Sequence, residues 1–172
     1  MYKLLILIIL PILLSAEKCN IDTKVMYSIL LNESYSKKTV GYQYLISFNN
    51  ESDAKIARNS KLKRFFLNKR TIDCKNTQVC VNMLKQLKNA KITNLDLGPY
   101  QINFRHHKLE LSHYFNLKQS YLYACSYVND MIDKHGYNWY AIASYHSQTP
   151  YYNKRYKDKL IQNYKTIKDK DN

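Results

Sequence analysis

Three short stretches carry side chains whose types and spacing could do chemistry. The first, Met26-Tyr27-Ser28-Ile29-Leu30-Leu31-Asn32-Glu33-Ser34, is mostly apolar and ends in a carboxylate. A carboxyl on the last turn of an apolar helix is easily part-buried, and burial raises its pKa. A carboxyl still protonated near neutral pH is the general acid that cleavage of a glycosidic bond requires. The second stretch, Asp96-Leu97-Gly98-Pro99-Tyr100-Gln101-Ile102-Asn103, joins a glycine to amide side chains. Glycine permits close backbone approach to a ligand, and Gln101 and Asn103 offer donors and acceptors suited to N-acetyl and hydroxyl groups. The third, Ala143-Ser144-Tyr145-His146-Ser147, adds a phenol and an imidazole. The tripeptide Asn-Glu-Ser occurs twice, at Asn32-Glu33-Ser34 and Asn50-Glu51-Ser52. Glu33 follows an apolar helix. Glu51 precedes a helix, where a carboxylate favours the dipole, so Glu33 is the candidate acid.

The elements that must position these residues follow from periodicity. Ile21 to Asn32 reads as the first helix, Ser34 to Thr39 as a turn, and Tyr42 to Phe48 as a short strand. A helix follows from Ser52 to Lys61, and the basic run Lys61 to Arg64 reads as a solvated face. Phe65 to Asp73 supplies one or two further strands, for a sheet of two or three. Thr77 is the expected N-cap of a helix ending near Asn89, with Val79, Met83, Leu84 and Leu87 toward the core. Leu117 to His135 is a long helix with Leu122, Cys125, Val128, Met131 and Ile132 on its apolar face and Gly136 as its stop. Asn138 to Tyr145 is a compact apolar helix. Pro150 breaks the chain, and a last helix runs from Asn153 to Ile167 before a Lys-rich tail that frays.

Composition sets the class. A chain of 172 residues with three Gly and three Pro favours one largely helical domain. The net charge of +14 favours anionic partners. Lys3 followed by the apolar run Leu4 to Leu14 and the small Ala16 reads as a secretory signal peptide, residues 1–16, too short for a relaxed membrane span. Four cysteines in an exported chain favour disulfides. Cys74 and Cys80 are the local pair, which leaves Cys19 with Cys125. His106, His107 and His113 tempt a metal reading. Adjacent side chains diverge, however, and no carboxylate pattern completes a site.

The second and third stretches resemble the lysozyme-like lytic transglycosylases. Their motif Gly-Leu-Met-Gln-Ile-Asn is matched at Gly98, Gln101, Ile102 and Asn103, with Pro99 and Tyr100 in place of the Leu-Met pair. Asn138 to Ser147 resembles the family's Ala-x-Tyr-Asn-x-Gly segment, with His146 where Asn is common. Asn153 and Tyr156 resemble the Asn and Tyr that open its last helix. The Tyr-His-Ser form is similar to the specialised enzymes of type IV secretion and conjugation systems. Phe65 to Asn94 carries no matching motif.

The resemblance implies a mainly α (α+β), lysozyme-like fold with a small β element beside the cleft. It implies cleavage of the β-1,4 bond between N-acetylmuramic acid and N-acetylglucosamine, with 1,6-anhydro ends, by Glu33 alone as acid and then base. Ser34, Gly98, Tyr100, Gln101, Asn103, Tyr145 and His146 would then touch substrate, with Tyr145 lining the cleft near the acid and helping to orient it. No cofactor or metal is called for. The partners are peptidoglycan strands and possible secretion-system components, not nucleic acid, and the expected state is a monomer in the periplasm or cell envelope. Two rivals share the cleft: a hydrolytic lysozyme, with Asp96 as second carboxylate, and a non-catalytic glycan-binding or secretion-assembly protein with an inert Glu33.

Overall fold

A computed structural model of the chain describes residues 18–34 and 39–167. The expected signal segment 1–16, most of the expected turn after Ser34 and the end of the Lys-rich tail lie outside the described residues. The fold is mainly α with a small antiparallel sheet. Helix α1 spans Thr23–Glu33, opened by Asp22, whose side chain accepts from the Lys24 N–H at 2.7 Å. It buries Val25, Met26, Ile29 and Leu30. Strand β1 (Leu45–Phe48) is followed by α2 (Glu51–Arg58), β2 (Thr71–Asp73), α3 (Thr77–Asn89), β3 (Leu95–Leu97) and β4 (Ile102–Asn103). Then come α4 (Leu117–His135), α5 (Trp139–Ala143) and α6 (Pro150–Thr166).

The sheet runs β2-β1-β3-β4, all antiparallel, with Ile46 of β1 opposite Ile72 on one side and Leu97 on the other. It has four strands, not two or three, because Asp96–Asn103 is a strand-turn-strand hairpin. Asp96 stands directly opposite Asn103. Between Lys61 and Asp73 only Thr71–Asp73 is a strand, and Lys61–Phe65 forms a 3-10 turn whose basic side chains are exposed. Two ends differ from expectation for reasons of hydrogen bonding. The N-cap of α3 is Asn76, whose amide oxygen accepts from the Val79 N–H at 3.0 Å, so Thr77 is the first helical residue. Pro150 does not break α6 but opens it, since a first-turn residue needs no N–H. Gly136 stops α4 as expected, at φ +76°.

Helix α1 packs on α6, and α5 packs on both α4 and α6. Buried Asn153 holds the α5–α6 connection. Its amide nitrogen donates to the Tyr140 carbonyl, the Ser144 hydroxyl and the Ser147 carbonyl, at 3.1, 3.1 and 2.9 Å. Cys74 bonds Cys80, the local pair expected from spacing, and Cys19 bonds Cys125, the pair that this leaves. Two disulfides fit an oxidising compartment. Among the described residues, no helix is long and apolar enough to cross a membrane.

The two bonds close loops of very different length, with sequence separations of 106 and 6. On the chain-entropy account, Cys19→Ser/Cys125→Ser costs about 5 kcal/mol and Cys74→Ser/Cys80→Ser about 2 kcal/mol. Chemical denaturation of the two double variants checks the order; a larger loss from the short loop would show that native-state packing, not chain entropy, governs these bridges.

Candidate functional site

A cleft of about 480 Å³ opens between the helices and the sheet. Glu33, at the end of α1, forms part of its lining. The sheet side presents Asn49, Asp96 and Asn103, together with Asn94 just before β3. Helix α4 contributes Tyr123 and Tyr127, spaced one turn apart, and the segment after α5 contributes Tyr145 and His146. Gln101, His106 and His107 complete the side beyond the hairpin. Glu51 is elsewhere: it opens α2, is exposed, and pairs with Arg58 at 2.6 Å, which holds its carboxyl below the usual range.

Helix α1 stops at Glu33 because Ser34 turns extended (φ −72°, ψ 137°) and its hydroxyl donates back to the Leu30 carbonyl at 2.5 Å. The same hydroxyl oxygen accepts from the Gly41 N–H at 3.3 Å. Ser34 therefore ends the helix and does not line the cleft.

Glu33 is half-buried where the end of α1 meets α6 at the edge of the cleft. Tyr156 of α6 donates its phenolic O–H to Glu33 Oε1 at 2.5 Å. Burial pushes the Glu33 pKa from its ordinary 4.5 to about 8; the Tyr156 hydrogen bond and the Lys159 charge pull down, and the Asp96 charge pushes up. Burial wins because a carboxylate loses more from missing water than one neutral donor returns. Glu33 is therefore protonated at neutral pH. Asp96 is also raised, by burial first, against hydrogen bonds from Asn49 and Asn103. The Asn103 amide donates to it at 2.8 Å. The Asp96 charge thus reaches Glu33 across the same cleft.

Tyr145 lines the cleft, but its hydroxyl donates to the Tyr100 carbonyl at 2.7 Å. It ties the loop after α5 to the hairpin, and the phenol that bonds the acid is Tyr156's. Both phenols are driven well up by burial, so both remain donors. His146 stacks flat on the Tyr156 ring, 4.6 Å between centroids and 3° between planes. Loss of water, and then the Lys159 charge, lower its pKa, against the charge of Asp96.

Two residues of the second stretch have structural work instead. Gly98 sits at φ +71°, and a Cβ there would stand 1.8 Å from the Tyr114 carbonyl oxygen. The close approach is to the chain itself, not to a ligand. Tyr100 is buried, its ring against Tyr121 at 6.1 Å, so only its carbonyl serves the site, through Tyr145. Gln101 and Asn103 do reach the cleft. The Gln101 amide donates to the Gly98 carbonyl at 2.7 Å. Of the three histidines, His106 lines the cleft, and the other two have side-chain partners. His107 Nδ1 lies 2.9 Å from the Tyr123 hydroxyl, and His113 pairs with Glu110 at 2.9 Å.

Sequence reasoning missed the contact between Tyr156 and the acid, and the aromatic side made by His107, Tyr123 and Tyr127. The i, i+4 pair of tyrosines on α4 was the available signal for the latter. No family model matches the chain, nor does any curated protein or any solved structure.

A carboxyl whose pKa is higher folded than unfolded binds an extra proton in the native state. Stability therefore falls as pH rises from about 4.5 to about 8 and is level above that. Glu33→Gln removes the cost. The variant should match the parent near pH 4.5 and exceed it by a few kcal/mol above pH 8. Urea melts at several pH values measure this without reference to activity. A pH-independent difference would mean that the Glu33 carboxyl ionises freely.

Proposed function

We propose that this chain is a lytic transglycosylase of peptidoglycan. The observation that carries the reading is the half-buried Glu33 carboxyl, protonated at neutral pH and held by Tyr156 in a cleft whose sheet side is lined with amides. Glu33 protonates the leaving oxygen of the β-1,4 bond between N-acetylmuramic acid and N-acetylglucosamine. As a carboxylate it then takes the proton of the muramic C6 hydroxyl as that oxygen attacks the anomeric carbon. The bond to the leaving sugar breaks, the 1,6-anhydro ring forms, and the enzyme is returned protonated, with no cofactor in the balance. Asn94, Asn103 and Gln101 suit N-acetyl and hydroxyl groups, and the aromatic side suits the apolar faces of sugar rings.

The motif resemblance supports a lysozyme-like fold and a place in the periplasm or cell envelope, with wall opening for a secretion system as the task. The charge of +14 suits a wall polymer bearing carboxylates. A second reading, a hydrolytic lysozyme, rests on Asp96, which lines the same cleft and influences Glu33. Inverting hydrolases use such a second carboxylate to activate water.

Mass analysis of peptidoglycan digested by the protein separates the two. Anhydro-muramic ends are expected; reducing muramic ends would replace this reading with the hydrolytic one. Glu33→Gln should lower cleavage by at least about 10²–10⁴-fold, while Glu51→Gln leaves it unchanged. Normal cleavage by the Glu33→Gln variant would remove Glu33 from the chemistry.

The Tyr156 hydrogen bond lowers the Glu33 pKa. Tyr156→Phe should therefore raise it, and the alkaline limb of the activity profile should move from about pH 8 to higher pH. Tyr145→Phe leaves that limb in place, because its hydroxyl serves Tyr100. A limb that moves with Tyr145 and not with Tyr156 would reverse the two roles.

A further inference from the structure

Adjoining the cleft at His146, and lined also by Tyr156, lies a second hollow, of about 240 Å³. The cleft carries two carboxyls; the hollow is lined by none and has two cations, Arg155 and Lys159. They stand four residues apart on α6, one above the other on the same face. Lys154, on a neighbouring face, is paired with Asp158 at 3.2 Å. Among the described residues Arg155 and Lys159 have no such carboxylate. Arg155 reaches only Tyr151, whose hydroxyl accepts at 3.3 Å and whose ring lies 5.6 Å away.

A third donor adjoins them. Asn32, the residue before the acid, also lines this hollow. Its amide oxygen accepts from Asn163 at 2.7 Å, but its amide nitrogen is buried with no hydrogen-bond partner. It influences the Tyr156 hydroxyl, favouring that phenol's ionised form, without bonding it in hydrogen-bond geometry. A buried donor left unmet costs about 1–3 kcal/mol. An orphan N–H beside two unpaired cations is what a bound oxyanion would satisfy, through charge-assisted bonds.

We propose that this hollow is an anion subsite that takes a carboxylate carried by the glycan strand seated in the adjoining cleft. The proposal rests on the peptidoglycan reading above. His146 borders both hollows and Tyr156 bonds the acid from the wall of the second, so a strand at Glu33 passes beside the subsite. Peptidoglycan offers two carboxylates of this kind: those of the stem peptide, and the lactyl carboxylate of muramic acid where the peptide has been removed. Oligomers of N-acetylglucosamine alone offer neither. The subsite would thus select for muramic strands through charge, while the cleft handles features that both polymers share.

The test uses the full chain carrying Glu33→Gln, which keeps the glycan whole and removes the influence of the Lys159 charge on the acid. Binding by calorimetry is compared for strands with stem peptides, strands stripped of peptide, and neutral N-acetylglucosamine oligomers. Adding Arg155→Gln and Lys159→Gln should weaken at least one anionic strand by about tenfold or more and leave the neutral oligomer within about twofold. Whichever anionic strand responds names the carboxylate. Equal losses for all three, or no loss, overturn the subsite.

A second measurement stands apart from glycan. Acetate is titrated into labelled protein while the Asn32 side-chain amide is followed by NMR. Its resonances should move, and should stay still in the Arg155→Gln/Lys159→Gln form. An amide that ignores acetate, as one satisfied by water would, or that responds equally in both forms, overturns the proposal. A responsive Asn32 with no glycan bound by either protein would keep an anion site, withdraw the substrate assignment made here, and bring down the peptidoglycan reading itself.

Discussion

A carboxyl enclosed in protein has two ways to exist: neutral, or ionised and heavily bonded. Glu33 has one strong side-chain donor, Tyr156, and a carboxyl of like charge, Asp96, across the cleft. One donor cannot replace a hydration shell, so the neutral form prevails. Much of the surrounding structure serves that outcome. Helix α6 must lie along α1 to exclude water, and Asn32 and Asn163 bond across the same seam two turns further along α6. The imidazole of His146 covers the back of the phenol.

The opposite side of the cleft is held by different means. The β3–β4 hairpin is too short to be stable alone. It is fixed by pairing to β1, by the Gly98 backbone pressed against Tyr114, and by the Tyr145 hydroxyl on the Tyr100 carbonyl. The last of these couples the hairpin to the loop after α5, which Asn153 in turn fastens to α6. The cleft is a ring of such fastenings, some local, as at Asn153, and some between segments far apart in the chain, as at Tyr145 and Tyr156.

That arrangement explains what the sequence shows and what it conceals. Helices α3 and α4 are legible because Met83, Leu84 and Leu87, and Cys125, Val128 and Met131, recur at helical spacing between recognisable ends. The candidate acid is legible because Glu33 closes an apolar run. The local bridge Cys74–Cys80 follows from proximity. The hairpin is not legible, since strands of three and two residues are too brief to show alternation. Gly98 and Tyr100 look like ligand contacts because nothing nearby reveals that Tyr114 and Tyr121 will claim them. Tyr156 lies 123 residues from Glu33, and no local pattern announces a bond over that span.

The same span has a temporal meaning. Helix α1 is synthesised early and α6 late, so Glu33 spends most of the chain's elongation as an ordinary hydrated carboxyl. Its pKa rises only when α6 docks and excludes water. The converse holds in the finished protein. Should α6 lift from α1 while the sheet and α4 stay folded, water would reach Glu33 and return it to the carboxylate form. Loss of the neutral carboxyl would then precede loss of the fold, and the protonation of Glu33 would read out the docking of helix α6.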